Sequence, residues 1–257
     1  MSSSSVENAI LRVIEEMHVN LGQELTIDDM ARTAMFSKFH FTRVFRSVTG
    51  TSPRRFLSAL RLQEAKRLLV STDLSVADVS SHVGYCSIGT FSSRFKACVG
   101  VPPSKFRELG GRVGELPTDP GAGLDSPHLA PLRGRVVLPG DRALGQVFVG
   151  LFPSSIPQGL PVRYVVMDGP GPFELDDVPP GTWHVLAHSV PYGAPPAPAG
   201  GAGDTPESLA VGRHGPVTVR AGMRVMPVDI VLRAVDPLDP PVLLALPGGE
   251  AARRTAA

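Results

Sequence analysis

Cysteine is scarce: Cys86 and Cys98 are the only two in 257 residues. That excludes a disulfide framework and a four-ligand zinc site built of cysteines alone. No apolar run approaches the roughly 20 residues that a membrane-spanning helix needs. The opening MSSSSVEN also lacks the basic start and apolar core of a secretory signal. Secreted, membrane-embedded and zinc-finger classes are therefore not expected, and a cytoplasmic location is. Motifs of catalysis are missing as well: no Gly-x-Ser-x-Gly elbow, no phosphate loop and no His-Glu-x-x-His. Neither a catalytic residue nor a cofactor nor a metal is expected, so an enzyme is the weakest reading. Net charge is only +1, which by itself predicts neither nucleic acid nor membrane as a partner.

What is there is unevenly distributed. Residues 1–112 carry 15 Lys+Arg against 10 Asp+Glu, whereas residues 113–257 carry 10 against 14 and contain no lysine. The first part has 7 Gly and 3 Pro; the second has 20 and 23. Helix interiors tolerate neither residue well, so the second part is expected to be poor in helices. The stretch 109–131 has linker composition. The expected organisation is a basic all-α domain over 1–112 and a linker over 113–131. An all-β antiparallel sandwich over 132–240 and a tail over 241–257 complete it.

The first part repeats itself at an offset of 49 to 50 residues. Thr26 and Asp29 answer Ser75 and Asp78, each pair a hydroxyl N-cap with an acid three residues later. Ser37 answers Ser87, Phe41 answers Phe91, Phe45 answers Phe95, Gly50 answers Gly100, Pro53 answers Pro103 and Phe56 answers Phe106. The repeat is read as a helix–turn–helix unit used twice, with helices over 26–33, 37–48, 75–82 and 87–99. A connecting helix over 53–71 carries Leu57, Leu60, Leu68 and Leu69 at helical spacing. Phe41, Phe45, Phe91 and Phe95 are core positions, and both cysteines are expected to pack or sit idle. Met35 stands where the second turn has Gly84, so the first turn is expected to be built differently.

The run RLQEAKRLLVSTDLSVADVSSHVGYCSIGTFSSRFKACVGVPPSKFR resembles the signature half of AraC/XylS-type transcriptional regulators. The resemblance extends over about residues 6–109. It implies a seven-helix domain whose two recognition helices enter successive major-groove segments of double-stranded DNA, about one turn apart. Carried over residue by residue, the base-reading positions fall on Phe39, Thr42 and Arg43, with Lys38 and His40 beside them. In the second unit they fall on Ile88, Gly89, Ser92 and Ser93. The family's usual arginine position is Ser93 here, and Arg94 sits one residue later, rotated about 100° round the helix. The second unit is thus expected mainly to hold the DNA backbone. Arg54, Arg55, Lys96 and Lys105 are candidates for phosphate contacts, which position a protein without specifying sequence.

In the second part, short strand-like runs recur at 133–138, 146–152, 162–168, 172–178, 182–190, 217–220 and 228–233. Seven strands without helices suggest the antiparallel sandwich. The fragment GPFELDDVPPGTWHVLAHSV resembles the transthyretin-like, carboxypeptidase-regulatory sandwich, which implies interaction or structural roles. His184 and His188 share a strand face but lie roughly 13 Å apart along it, too far for one metal; they are read as structural. Trp183 is read as core, Asp176-Asp177 as a solvated turn, and 195–206 as an exposed loop. A GyrI-like α/β effector domain would need helices that this composition disfavours. For this half the readings are sensing of a small-molecule effector, binding of a protein partner, or a dimerising or docking module without ligand.

Overall fold

The computed structural model describes residues 3–111, 129–139, 145–155, 159–189, 209–222 and 225–244. The expected linker over 113–131 lies outside the described residues as far as residue 128, and so does the loop at 195–206. Among the described residues seven helices come first: α1 (Ser3–Val19), α2 (Ile27–Thr33), α3 (Lys38–Thr49), α4 (Pro53–Ser71), α5 (Val76–His82), α6 (Ile88–Val99) and α7 (Pro103–Glu108). Eight strands follow: β1 (Ala130–Val137), β2 (Val147–Phe152), β3 (Arg163–Met167), β4 (Pro172–Val178), β5 (Gly181–Ser189), β6 (Ala210–Val219), β7 (Val228–Val231) and β8 (Arg233–Ala234).

The duplication is visible in the packing. Both α2 and α5 open with a reciprocal capping box, Thr26 with Asp29 and Ser75 with Asp78. Phe41, Phe45 and Phe56 form an edge-on chain of rings with centroids 5.5 Å apart. Phe91, Phe95 and Phe106 repeat it at 5.6 and 5.5 Å. All six rings are buried, as favours aromatic cores. Helix α4 divides its apolar surface between the two units. Phe56, Leu57 and Leu60 join the first core, while Ala59, Leu62, Ala65, Leu68 and Leu69 join the second. A helix apolar on several sides belongs inside a domain.

The β part is a three-stranded sheet, β4-β1-β7, and a five-stranded sheet, β3-β2-β5-β6-β8. Leu132, Val136, Phe173 and Ile230 of the first share one buried cluster with Val149, Leu151, Val185 and Val217 of the second. Pairing is antiparallel apart from β1 with β7, which run parallel. That corrects the wholly antiparallel expectation. Strand β6 also begins at Ala210, well before the expected 217–220. Gly212, Gly215 and Pro216 mask it in the sequence, yet Gly212 is there because a Cβ would come within 2.7 Å of Ile230 and 2.8 Å of the Val231 carbonyl. Asp176 and Asp177 are exposed but lie within β4 rather than in a turn. Strand β1 starts inside the expected linker, and Leu243 and Leu244, expected in a tail, are buried.

Strand β2 is buried along its whole length. Val147, Val149 and Leu151 face the β core, while Phe148 and Phe152 join the cluster of the second helical unit. Gly150 lies between those two rings, each within 2.7 Å of where its Cβ would sit. The uninterrupted apolar run VFVGLF is what a strand covered on both faces looks like. On β5, Leu186 and His188 face the helices, and the His188 ring lies 5.0 Å from that of Phe148. His188 is 5% exposed and its Nε2 has no hydrogen-bond partner. Lys66 of α4 reaches into the same junction, its stem half-buried and its ammonium enclosed, donating to the Leu243 carbonyl at 3.1 Å.

Burial, and then the nearby Lys66 charge, push the His188 imidazole down to about 3. Burial alone pushes Lys66 down to about 8. Both folded values lie below the ordinary ones, so the unfolded chain binds more protons and stability rises with pH. For His188 that stability is complete above about pH 6.5 and drains away as pH falls towards 3. Between pH 7 and pH 5 this histidine is expected to account for a loss of about 2 kcal/mol. Denaturant unfolding at the two pH values should show His188→Leu losing less than wild type by that amount.

Candidate nucleic-acid interface

Each recognition helix is set by a turn that ends the helix before it. At the end of α2 the Phe36 amide donates to the Ala31 carbonyl (2.9 Å) and the Met35 amide to Arg32 (3.0 Å). At the end of α5 the Tyr85 amide donates to Ser80 (3.0 Å) and the Gly84 amide to Ser81 (3.0 Å). These are the same Schellman closure, with Met35 at φ 58° and Gly84 at φ 79°. The expectation of a differently built first turn is thus corrected: methionine adopts the left-handed conformation that glycine takes in the copy. Met35 is 85% exposed, so little burial offsets the strain.

Arg61 of α4 ties the units together. Its guanidinium donates to the carbonyls of Leu21 (2.9 Å), Gln23 (2.7 Å) and Gly84 (3.2 Å). One side chain on the linking helix therefore holds both the loop entering α2 and the turn before α6. In the sequence Arg61 is one of several charged residues that alternate with the apolar stripe of the linking helix, and the signal that could have found it is an arginine on the element between two repeats. Gly84 fits beneath it, since a Cβ there would lie 3.0 Å from the guanidinium and 2.8 Å from the Leu21 carbonyl.

On α3, Phe39, Thr42, Arg43 and Arg46 form one exposed face at helical spacing. Phe39 is 88% exposed. The Arg43 guanidinium lies 3.3 Å from His40 Nδ1, and the half-buried His40 ring stands edge-on to Phe36 at 4.8 Å. Arg43 is thereby pre-positioned rather than loose. Lys38 is exposed, and its ammonium pairs with Asp28 of α2 at 2.8 Å. The Thr42 hydroxyl donates to the Lys38 carbonyl at 2.9 Å. Ser37 occupies the N-cap of α3 without making a side-chain cap, whereas Ser87 accepts from the Thr90 amide at 3.4 Å.

On α6 the matching face is Gly89, Ser92, Ser93 and Lys96, with Ile88 50% exposed at its head. Ser92 is half-buried; Ser93 and Lys96 are exposed. Arg94 is exposed on the flank, where its charge acts on Tyr85 and Cys98. Arg54 and Arg55 at the head of α4 are exposed, while Lys105 is paired with Glu108 at 2.7 Å. Burial pushes the Cys98 thiol up and fits it for packing, whereas Cys86 is exposed. Between α1 and the α2–α3 turn lies an open depression of about 750 Å³ lined by Asn8, Arg12, Ser37 and His40 among others. Among the described residues no cluster of potential ligands could hold a metal, and no helix is long and apolar enough to cross a membrane.

Two duplicated units, each offering the outer face of its second helix, define a helix–turn–helix protein. The sequence matches the family model described as a helix-turn-helix domain over residues 30–109. The transcriptional activator AarP of Providencia stuartii is 36% identical over 104 residues, covering 40% of this chain and 75% of that protein. The Msm operon regulatory protein of Streptococcus mutans is 31% identical over 107 residues, and the chain spans 38% of its length. A solved structure of an AraC-type regulator from Chromobacterium violaceum aligns at 25% identity, covering 44% of this chain and 100% of that one, with a TM-score of 0.39. The chain belongs to the AraC-type family of helix–turn–helix transcriptional regulators.

Two substitution sets test the frame that presents these helices. Met35→Gly is expected to raise stability by about 0.5–1 kcal/mol, the left-handed strain relieved less the extra freedom of an unfolded glycine. Gly84→Ala should lower it by about 2–4 kcal/mol through strain and overpacking. Arg61→Met should cost about 2–4 kcal/mol by leaving the three carbonyls without their donor. Urea unfolding of each variant would measure these changes.

Proposed function

We propose that the chain is a sequence-specific transcription regulator whose α3 and α6 read two successive major-groove segments on one face of double-stranded DNA. The observation that carries this reading is the pair of outward helix faces, at matching positions of the repeat, mounted on one linking helix. Arg43 suits a bidentate contact with guanine, and the exposed Phe39 one turn before it suits apolar contact with a base edge. Thr42, Lys38 and His40 complete the first contact set. The second set is Ile88, Gly89, Ser92, Ser93, Arg94 and Lys96. Its short side chains assign this helix more to the phosphate backbone, with Arg54 and Arg55 in the same role.

The C-terminal part, from about residue 129 to 244, is read as a transthyretin-like sandwich that regulates the reading domain. Support comes from the cluster shared by its two sheets and from β2, which is covered by the β core on one side and by the second helical unit on the other. An effector or protein partner would act on DNA reading through that junction. A pure docking role without ligand is favoured by the same contact and stands as the second reading.

Selection of bound sequences from a random DNA pool with the full chain is expected to return a two-part, asymmetric site with its halves about one helical turn apart. Arg43→Ala should cost about 1–3 kcal/mol of affinity and relax one base position. Ser93→Ala should change affinity by less than about 0.5 kcal/mol. No enriched sequence, or a larger loss from Ser93→Ala than from Arg43→Ala, would overturn the assignment.

A further inference from the structure

The two reading helices are joined mainly through α4, and they make no substantial contact with each other. Their relative placement then depends on one helix and the Arg61 clamp, unless something else bridges the units. The chain after β8 does so. It leaves the β part through a two-pronged ion pair, Arg233 to Asp239 at 2.6 Å for each prong. The Asp239 carboxylate also accepts from the Asp236 amide at 2.9 Å, fixing the bend at the start of the segment. Leu238 then packs against the core of the first unit. Five residues later Leu243 and Leu244 are buried in the core of the second, at 0% and 3% exposure. The Lys66 ammonium holds the Leu243 carbonyl at that point.

A second bridge reinforces the first. Arg213 of β6 places a guanidinium nitrogen 3.3 Å from where a Gly50 Cβ would be, at the residue that caps the C-terminal end of α3. A cation there faces the negative end of the helix dipole. On the other side the Gly159 amide reaches the Cys98 carbonyl at 3.4 Å, near the end of α6. The C-terminal part thus touches the ends of both reading helices while their outward residues stay exposed.

We propose that residues 236–244, together with Arg213, splint the two reading helices. They set the separation and angle of α3 and α6 across α4, so that lifting the segment leaves α4 and the Arg61 clamp as the remaining link and loosens one unit against the other. This inference rests on the regulatory reading above and specifies its route. The C-terminal part acts on the spacing between the half-sites that the protein accepts, and leaves the base contacts of either helix alone. The segment is held by few contacts. Its apolar contact with the first core is Leu238, and at the second the Lys66 ammonium lies between the Leu243 carbonyl and, at 5.8 Å, the Phe106 ring.

The test uses the full chain with spin labels on the exposed Cys86 and on Ser47→Cys of α3, in a Cys98→Ala background. Pulsed dipolar spectroscopy should give one narrow distance distribution for the otherwise unaltered chain. Leu243→Asp with Leu244→Asp should broaden it about twofold or more as the hinge at α4 is freed. Arg233→Gln, which releases the Asp239 anchor without placing charge in a core, should broaden it in the same direction. On the selected DNA site, inserting one base pair between the halves should cost the parent about tenfold in affinity and the released variants about threefold or less. Equal distance distributions in folded variants, checked by circular dichroism, overturn the splint. If the double aspartate variant loses its helical signal, Arg233→Gln decides alone. A failure to select any DNA sequence counts against DNA reading and leaves the distance measurement untouched, so the two failures are distinguishable.

Discussion

The Arg61 guanidinium holds backbone carbonyls that come from both halves of a duplicated domain, and it does so from the helix between them. Hydrogen bonds from a cation to main-chain oxygen are stronger than neutral ones, and three from one planar group leave little freedom of rotation. The side chain is half-buried. Around that fixture α4 distributes its apolar residues to two separate cores, so neither helix–turn–helix unit is complete without it. The recognition helices follow the turns that Arg61 ties. Arg107 repeats the device on a smaller scale, donating to the carbonyls of Leu69 and Leu74 where α4 ends and α5 is approached.

Duplication has left the two units alike in frame and unlike in face. The capping boxes, the turn closures and the ring chains coincide residue for residue. What differs is what points outward: phenylalanine, threonine and arginine from α3, but glycine and two serines from α6. The frame is constrained by packing, where a lost methylene leaves a cavity. Outward positions carry no such constraint and are free to diverge with their partner. Met35 is the informative exception, a frame position where one copy retains a strained residue in the conformation that glycine takes in the other.

The helical half was legible in the sequence because its information is local. Thr26 with Asp29, Ser75 with Asp78, and Pro53 at the head of α4 mark helix starts by short-range chemistry, and glycine marks their ends. The β half yielded less. Strand β6 was obscured because Gly212 and Gly215 read as breakers, although close passage of β7 requires the first of them. The run VFVGLF held a message that alternation alone does not convey, since a strand apolar on both sides needs a cover on both sides. Pairings across the chain were not legible at all. The pairing of Lys38 with Asp28 across the α2–α3 turn is one such case, and a terminal stretch of prolines and leucines gave no hint that it returns to the helices. The exposed faces of α3 and α6 followed from periodicity, and which of their side chains are tethered did not.

The two halves also differ in charge, and their placement converts that difference into direction. Cations cluster on the helical half, at Arg43, Arg46, Arg54, Arg55 and Lys96, whereas the described residues of the β part carry six arginines against seven acids and no lysine, close to balance. Exposed positive charge is consequently concentrated at the reading helices. Near a polyanion such an asymmetry produces a torque before any contact forms, turning the reading face inward. Encounters would then begin in a narrow range of orientations, and that bias fades within roughly 10 Å at 0.1 M salt. A chain with a net charge near zero can in this way approach DNA with a preferred side, a property that its total charge conceals.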